Sequence, residues 1–290
     1  MKKISLLILV MLVVSIAGIS QKISGKLVFQ QGQIIGITMD VKSTFSQEAM
    51  GNAIDFSING TAAHAYKVTN ATEDNTTLHH DVKKITFLFD GMGTKRSFDS
   101  DNKKDMEGMF GPTIKEMMTK TFDMIINPAG KVLLVKPEKI TLAKPDDRLA
   151  IVTTMLKDVT AVIYPPKKNE ASFFKVLPEK ETSITDSWTE SGEDSVSRFN
   201  TTYTLAAMTD STLIVNLKGT SVSNTSTEMM GARATTTMKN NYTGKIILDK
   251  ATGILREKTI EITSAGSTEA MGGTVPVTSK TTITIRVKPQ

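Results

Sequence analysis

Histidine is the first residue type to test for chemistry, and the chain has only three, His64, His79 and His80. Imidazole nitrogens bind metal ions and move protons near neutral pH, so the adjacent pair, with Asp74 and Asp81 nearby, is a candidate site. Neighbouring residues on a strand point to opposite faces, however, and His79 and His80 cannot easily hold one ion between them. A solvated polar loop is the favoured expectation for this stretch. Asp99, Asp101, Asn102 and Asp105 are spaced like part of a calcium loop, which also needs Gly at its sixth place and Glu at its twelfth. Lys104 and Phe110 stand there instead, so a solvated turn leading into a helix is expected.

Other constellations fail on order or context. Ser172-Phe173-Phe174-Lys175 fits S-x-x-K and Ser100-Asp101-Asn102 fits S-D-N, but a penicillin-recognising serine enzyme has those motifs in the opposite order and adds K-T-G. No G-x-S-x-G elbow, H-E-x-x-H or Walker loop occurs. Glu48, Glu228 and Glu269 recur just before methionines in three similar segments, and paired carboxylates for glycoside hydrolysis meet only in the fold. At hairpin tips their ordinary role is solubility. The expectation is a protein that is not an enzyme, with no cofactor and no metal; a carboxylate-based hydrolase is the third-ranked alternative.

Sixteen methionines remain. Met50, Met229, Met230 and Met271 fall in the three similar segments, Ser43 to Gly51, Ser226 to Gly231 and Ser267 to Gly272. Flexible thioethers suit adaptable apolar binding and can take Cu(I), with burial against the sheet as the bland alternative. Met50, Met230, Met271 and the sole tryptophan, Trp188, are the candidate ligand-binding residues. For Trp188 the alternative is a core anchor.

The elements that must position these residues are strands. Ile35, Ile37, Met39, Val41 and Phe45 alternate with polar residues, the period-two pattern of a half-buried strand. The pattern recurs from Ile54 to Val68, at Ile85 to Phe89, Leu213 to Leu217, Ile246 to Leu248, Ile260 to Ile262 and Ile283 to Val287. Threonine fills the alternate positions, and one-sided alternation indicates antiparallel pairing. Asn127-Pro128-Ala129-Gly130 and Asp249 to Gly253 have the residues of turns.

A short helix is expected near 112–120, entered through Pro112 and carrying Ile114, Met117 and Met118 on one side. A longer amphipathic helix within 141–166 follows Pro145, with Leu149, Val152, Leu156, Val159 and Ile163 as its apolar stripe. Met-Gly, Ala-Thr and alternating apolar pairs also recur 180 residues apart, at Met50 and Met230 and at Ala71 and Ala251. This suggests two related halves, 21–140 and 167–290, with chance similarity among Thr-rich strands as the rival. The expected fold is mainly β, with long antiparallel twisted strands in an open curved sheet or half-barrel and the two helices packed on it.

Residues 1–20 read as a secretory signal peptide, with Lys2 and Lys3, an apolar run from Ile4 to Ile16, and Gly18 and Ser20 before the cut. The expected product is exported, periplasmic or secreted. The absence of cysteine removes disulfides, thiolate metal sites and a lipid-acceptor cysteine, so it is not lipid-anchored. No transmembrane segment is expected after cleavage. The formal charge of +5 includes the two leader lysines, and no basic stripe marks nucleic-acid binding.

Leu177 to Trp188 (LPEKETSITDSW) resembles a P-x-K-x-V-x-x-G-D-S-W segment of uncharacterised exported β-rich proteins of Bacteroidota-type bacteria, catalogued as domain of unknown function 6263. Thr185 and Ile184 depart from the Gly and Val positions of that pattern. The resemblance implies no activity and no catalytic residue. At fold level alone, strands and helices in an exported chain are similar to periplasmic lipoprotein carriers, open β-barrels with an apolar hollow. The leading expectation is a non-catalytic binding module of the bacterial cell envelope, with an apolar, lipid-like ligand or an envelope protein as partner. The second is a structural or assembly protein binding through sheet edges and hairpin tips.

Overall fold

Period-two alternation runs far longer in space than its apolar letters suggest, because Thr, Ser and Asn continue each strand past its last aliphatic residue. The computed structural model describes residues 22–49, 52–91, 93–142, 156–193, 196–229, 232–270 and 273–289. In these, strands β1 (Ile34–Ala49), β2 (Asn52–Ala71), β3 (Thr76–Gly91) and β4 (Thr94–Asp99) lead to helices α1 (Lys103–Met106) and α2 (Gly111–Met118). Then come β5 (Phe122–Ile126), β6 (Val132–Lys136), a helical turn α3 (Lys157–Thr160) continued by a 3-10 turn at Ala161–Ile163, and β7 (Ser187–Glu193). The chain ends in β8 (Ser197–Met208), β9 (Thr212–Met229), β10 (Ala232–Asp249), β11 (Leu255–Ala270) and β12 (Gly273–Pro289).

All of these strands join one open antiparallel sheet in the order β6-β5-β3-β2-β1-β12-β11-β10-β9-β8-β7, with β4 beside β3. The expected fold class is therefore observed. Strands β1 and β12 pair at the middle, so β1–β6 and β7–β12 are the two wings of a single sheet. Shifting β1, β2 and β3 by the 180-residue offset lands on β9, β10 and β11.

One face of the sheet is apolar near its base. Ile35, Ile37, Met39 and Val41 on β1 and Ile283, Ile285 and Val287 on β12 are buried there, each aliphatic side chain worth roughly 1.5–3 kcal/mol when fully removed from water. At a rise of about 3.3 Å per residue the twenty-residue β2 is about 65 Å long. An eight-residue helix such as α2 is only about 12 Å long, so the described helices cover the base alone. Helix α2 buries Ile114 and Met117 against the wing that carries β3, as expected from its spacing. Of the expected longer helix, 143–155 lies outside the described residues. Its last turns bury Leu156, Val159 and Ile163, with Leu156 lying over Gly60 of β2.

Residues 22–29 lace the base. The amide of Leu27 donates to Pro128 O (2.7 Å) and that of Val28 to Thr252 O (2.9 Å), so one extended segment ties the β5–β6 turn to the β10–β11 turn. Both turns were legible from their residues, and Gly253 takes the left-handed φ of 69° expected of it. After α3 the chain runs along β6, where Val132 N donates to Glu170 O and Ser172 N to Gly130 O, and then reaches the opposite edge at β7.

Candidate functional site

The register of the strands sorts the inner face of the β7–β12 wing into transverse rows, because directly opposed residues share a face. Above a basal row of Leu255, Leu248, Leu213 and Met208, the first of three rows contains Met39, Ile285, Lys258, Ile246, Val215 and Leu205. All but Lys258 are buried apolar side chains. The next contains Val41, Ile283, Ile260, Gly244, Leu217, Tyr203 and Trp188, and the third Ser43, Thr281, Ile262, Tyr242, Gly219, Thr201 and Glu190. Farther out, Ser279, Ser264, Asn240 and Ser221 are polar, with Phe45 and Phe199 toward the two ends of that row.

The middle rows form a half-buried shelf. Trp188, Tyr203, Tyr242, Ile260 and Ile262 pack against the core yet stay partly exposed. The Trp188 and Tyr203 rings stack at 5.6 Å and 11°, as a directly opposed aromatic pair does. Tyr242 lies across Gly219, where a Cβ would collide with its ring, and its hydroxyl meets Thr201 Oγ1 at 2.7 Å. That close approach is what requires glycine at 219.

The charges on this shelf are unusual. Glu190 accepts a hydrogen bond from the Tyr203 hydroxyl, and burial, followed by this carboxylate, pushes the phenol pKa up. Lys258 makes no hydrogen bond or close ion pair among the described residues. Burial pulls its ammonium pKa down, while Glu190 acts from a distance to raise it. Trp188 Nε1 is buried and likewise without a partner. Two donors thus lack acceptors on one apolar face, and an unmet buried donor costs about 1–3 kcal/mol.

The histidines sit on the other wing. His79 and His80 do face opposite sides, but the expected solvated loop is wrong: both lie on β3. The polar letters of TTLHHDVKK hid the strand, whose inner residues alternate as Thr76, Leu78, His80 and Val82. His79 is half-exposed beside Asp123 Oδ1 at 2.8 Å, whereas His80 is fully buried. His80 Nε2 lies 3.2 Å from His64 Nδ1, and His64 Nε2 lies 3.1 Å from Val159 O beneath the helical turn.

A carbonyl only accepts, so His64 carries its proton on Nε2 and offers the Nδ1 lone pair to the Nε2 proton of His80. The chain ends at His80 Nδ1, which has no partner. Tyr66 and Phe122 pack on the His80 ring, with Phe174 edge-on to Tyr66, and burial holds the His80 pKa down to about 3, helped by the neighbouring imidazoles. This is a neutral, sealed pair that substrate does not reach.

The remaining candidates separate. Trp188 is on the shelf, while Met50, Met230 and Met271 lie outside the described residues. The register pairs Ala49 with Asn52, Met229 with Ala232 and Ala270 with Gly273, so each of the three similar segments does run between paired strand ends. Glu48 and Glu269 are exposed near those distal ends. The Asp99–Asp105 stretch leads into α1 as expected: Lys84 pairs with Asp99 and Asp101, Asp105 accepts from the Asp99 amide, and Asn102 caps the helix. Ser172 is buried against β6. Among the described residues, no group of three His, Cys, Asp or Glu side chains could hold a metal ion.

The shelf edge on β7 and β8 and the strands β9 and β10 fall within one stretch of sequence. Residues 166–255 match the family model described as Family of unknown function (DUF6263). That segment begins after the 3-10 turn and includes Trp188, Glu190, Tyr203 and Tyr242, while Lys258 falls three residues beyond it. No curated protein matches the chain.

Among solved structures, lipovitellin, described under lipid–protein interactions, is similar at a TM-score of 0.44 and 12% identity, over 90% of this chain and 26% of that one. The chain thus spans about a quarter of the lipovitellin chain. An outer membrane channel from Pseudomonas putida F1 gives 0.27 at 8% identity, covering 91% and 98%. OpdQ from Pseudomonas aeruginosa gives 0.21 at 6%, covering 88% and 99%. These likenesses are too distant to transfer a function.

Proposed function

We propose that the protein is an exported, non-catalytic binding module of the bacterial envelope that holds an apolar ligand on the inner face of its β7–β12 wing. The observation that carries this is the half-exposed shelf of Trp188, Tyr203, Tyr242, Ile260 and Ile262 above a fully buried base. Stability alone would favour covering such a surface, since each square ångström of apolar area left in water forgoes about 25 cal/mol. A sheet much longer than its described helices leaves room for a guest, and rigid aromatic rings give contact area at low entropic cost.

Native mass spectrometry of the full chain, exported by a bacterial host and purified without detergent, tests this reading. A lipid-sized adduct that disappears in Ile260→Glu supports it. A clean apo mass, together with no uptake of added lipid, overturns it.

A second reading, binding of an envelope protein through a sheet edge, draws on β7, which pairs with β8 and with no other described strand. A stable complex in envelope pull-downs, lost when Thr189 is replaced by Pro, would favour it over ligand carriage.

A further inference from the structure

We infer that the guest is a single-chain amphiphile with one carboxylate, its head received by Lys258 and its chain laid along Ile260, Ile262 and the Trp188–Tyr203 stack. This deepens the proposed function and rests on it. Lys258 is the one cation in these three rows of the inner face, and its directly opposed neighbours are Ile246 and Ile285. A lone ammonium among aliphatic side chains loses hydration without regaining a partner. An aliphatic side chain there would complete the row at no such cost, so the lysine is a stability defect that a bound anion removes.

The residue as a whole nevertheless stays half-buried rather than sealed. Its lowered pKa, caused by burial, is what a cation set among apolar side chains shows.

The charge count favours a monoanion. Glu190 is the other charged residue of these rows and is engaged by the Tyr203 hydroxyl. It acts on Lys258 from β7, four strands away in pairing order. Lys258 offers one ammonium for direct pairing with one carboxylate, Glu190 acting on it only from a distance. A dianionic phosphate head would bring excess negative charge toward Glu190. The unpartnered Trp188 Nε1 adds a neutral donor on the same face.

Isothermal titration of the full chain with palmitate, with hexadecanol and with short-chain phosphatidylglycerol tests the inference in the wild type, Lys258→Met and Lys258→Arg. The expected result is palmitate binding that weakens about tenfold or more in Lys258→Met and is retained in Lys258→Arg, with hexadecanol indifferent to both changes. Thermal melts of the variants confirm that each is folded, and the arginine variant keeps the test decisive if the methionine variant is not.

Equal binding of palmitate and hexadecanol, unaffected by Lys258→Met, overturns the acidic head but leaves the apolar reading standing. Lys258-dependent binding of phosphatidylglycerol without palmitate overturns the single-carboxylate assignment. No binding of any of the three overturns this inference and the proposed function together.

Discussion

Glu190 on the edge strand β7 and Lys258 on β11 feel each other's charge although β8, β9 and β10 lie between them in the sheet. Neighbouring strands are about 4.8 Å apart, so a flat sheet would hold these backbones roughly 19 Å apart. Both side chains lie on one face of the β7–β12 wing and reach toward each other across the strands between them.

The lysine on that apolar face should be a cost to the empty protein. Replacing Lys258 with Met is expected to raise the urea midpoint of ligand-free protein at pH 7, by up to about 1 kcal/mol in unfolding free energy. The midpoint of the wild type should also rise with pH toward the ordinary lysine range. Its folded-state pKa lies below the unfolded value, so the unfolded chain binds the proton more tightly there and loses that advantage as pH rises.

The buried histidine pair makes the opposite end of the pH scale costly. Both imidazoles are held below their ordinary value by burial, with Asp81 the acidic neighbour of His64 and Tyr66 an uncharged wall. Below about pH 6.5 the unfolded chain takes up protons that the folded one refuses, so stability falls with acid until the folded pKa is reached. For His80 this predicts a slope of about 1.4 kcal/mol per pH unit between pH 5.5 and 4. Urea titrations of wild type and His80→Leu across that range should show the slope reduced in the variant.

The laced base should unravel at its turn. Ala at 253 would have to adopt a φ of 69° and would place its Cβ 2.6 Å from Lys26 O. Gly253→Ala is therefore expected to cost about 1–3 kcal/mol, read as a lower melting temperature. Amide exchange should quicken at Leu27 and Val28, whose hydrogen bonds join the two turns.

On the shelf, Tyr242→Phe removes the 2.7 Å contact to Thr201 and leaves a buried hydroxyl unpartnered. The expected loss is about 1–2 kcal/mol. Adding Thr201→Val should recover part of it in a double-mutant cycle.

Much of this fold could be read from apolar alternation, since β1, β2, β9 and β12 each announce themselves through three or more in-phase aliphatic residues. Strands β7 and β8 did not, because SWTESGE and SRFNTTYT are polar on both sides and gain their places by pairing with β9. The candidate site was legible only at Trp188. Lys258 shares the phase of Ile260 and Ile262, a signal present in LREKTIEI, but a charged letter reads as an outward one until the register is known. His64 and His80 meet through a bulge at Ala63/His64 that shifts pairing by one residue, and no local pattern foretells that partner.

Trp188 is the only tryptophan, so its fluorescence reports on the shelf without interference. Titration with a fatty acid brominated in mid-chain tests the central claim most directly, because bromine quenches only on close approach. Saturable quenching of Trp188, reversed by unbrominated palmitate, is the predicted result. Undiminished emission while the fatty acid binds elsewhere, or no binding, would contradict a ligand seated on this face.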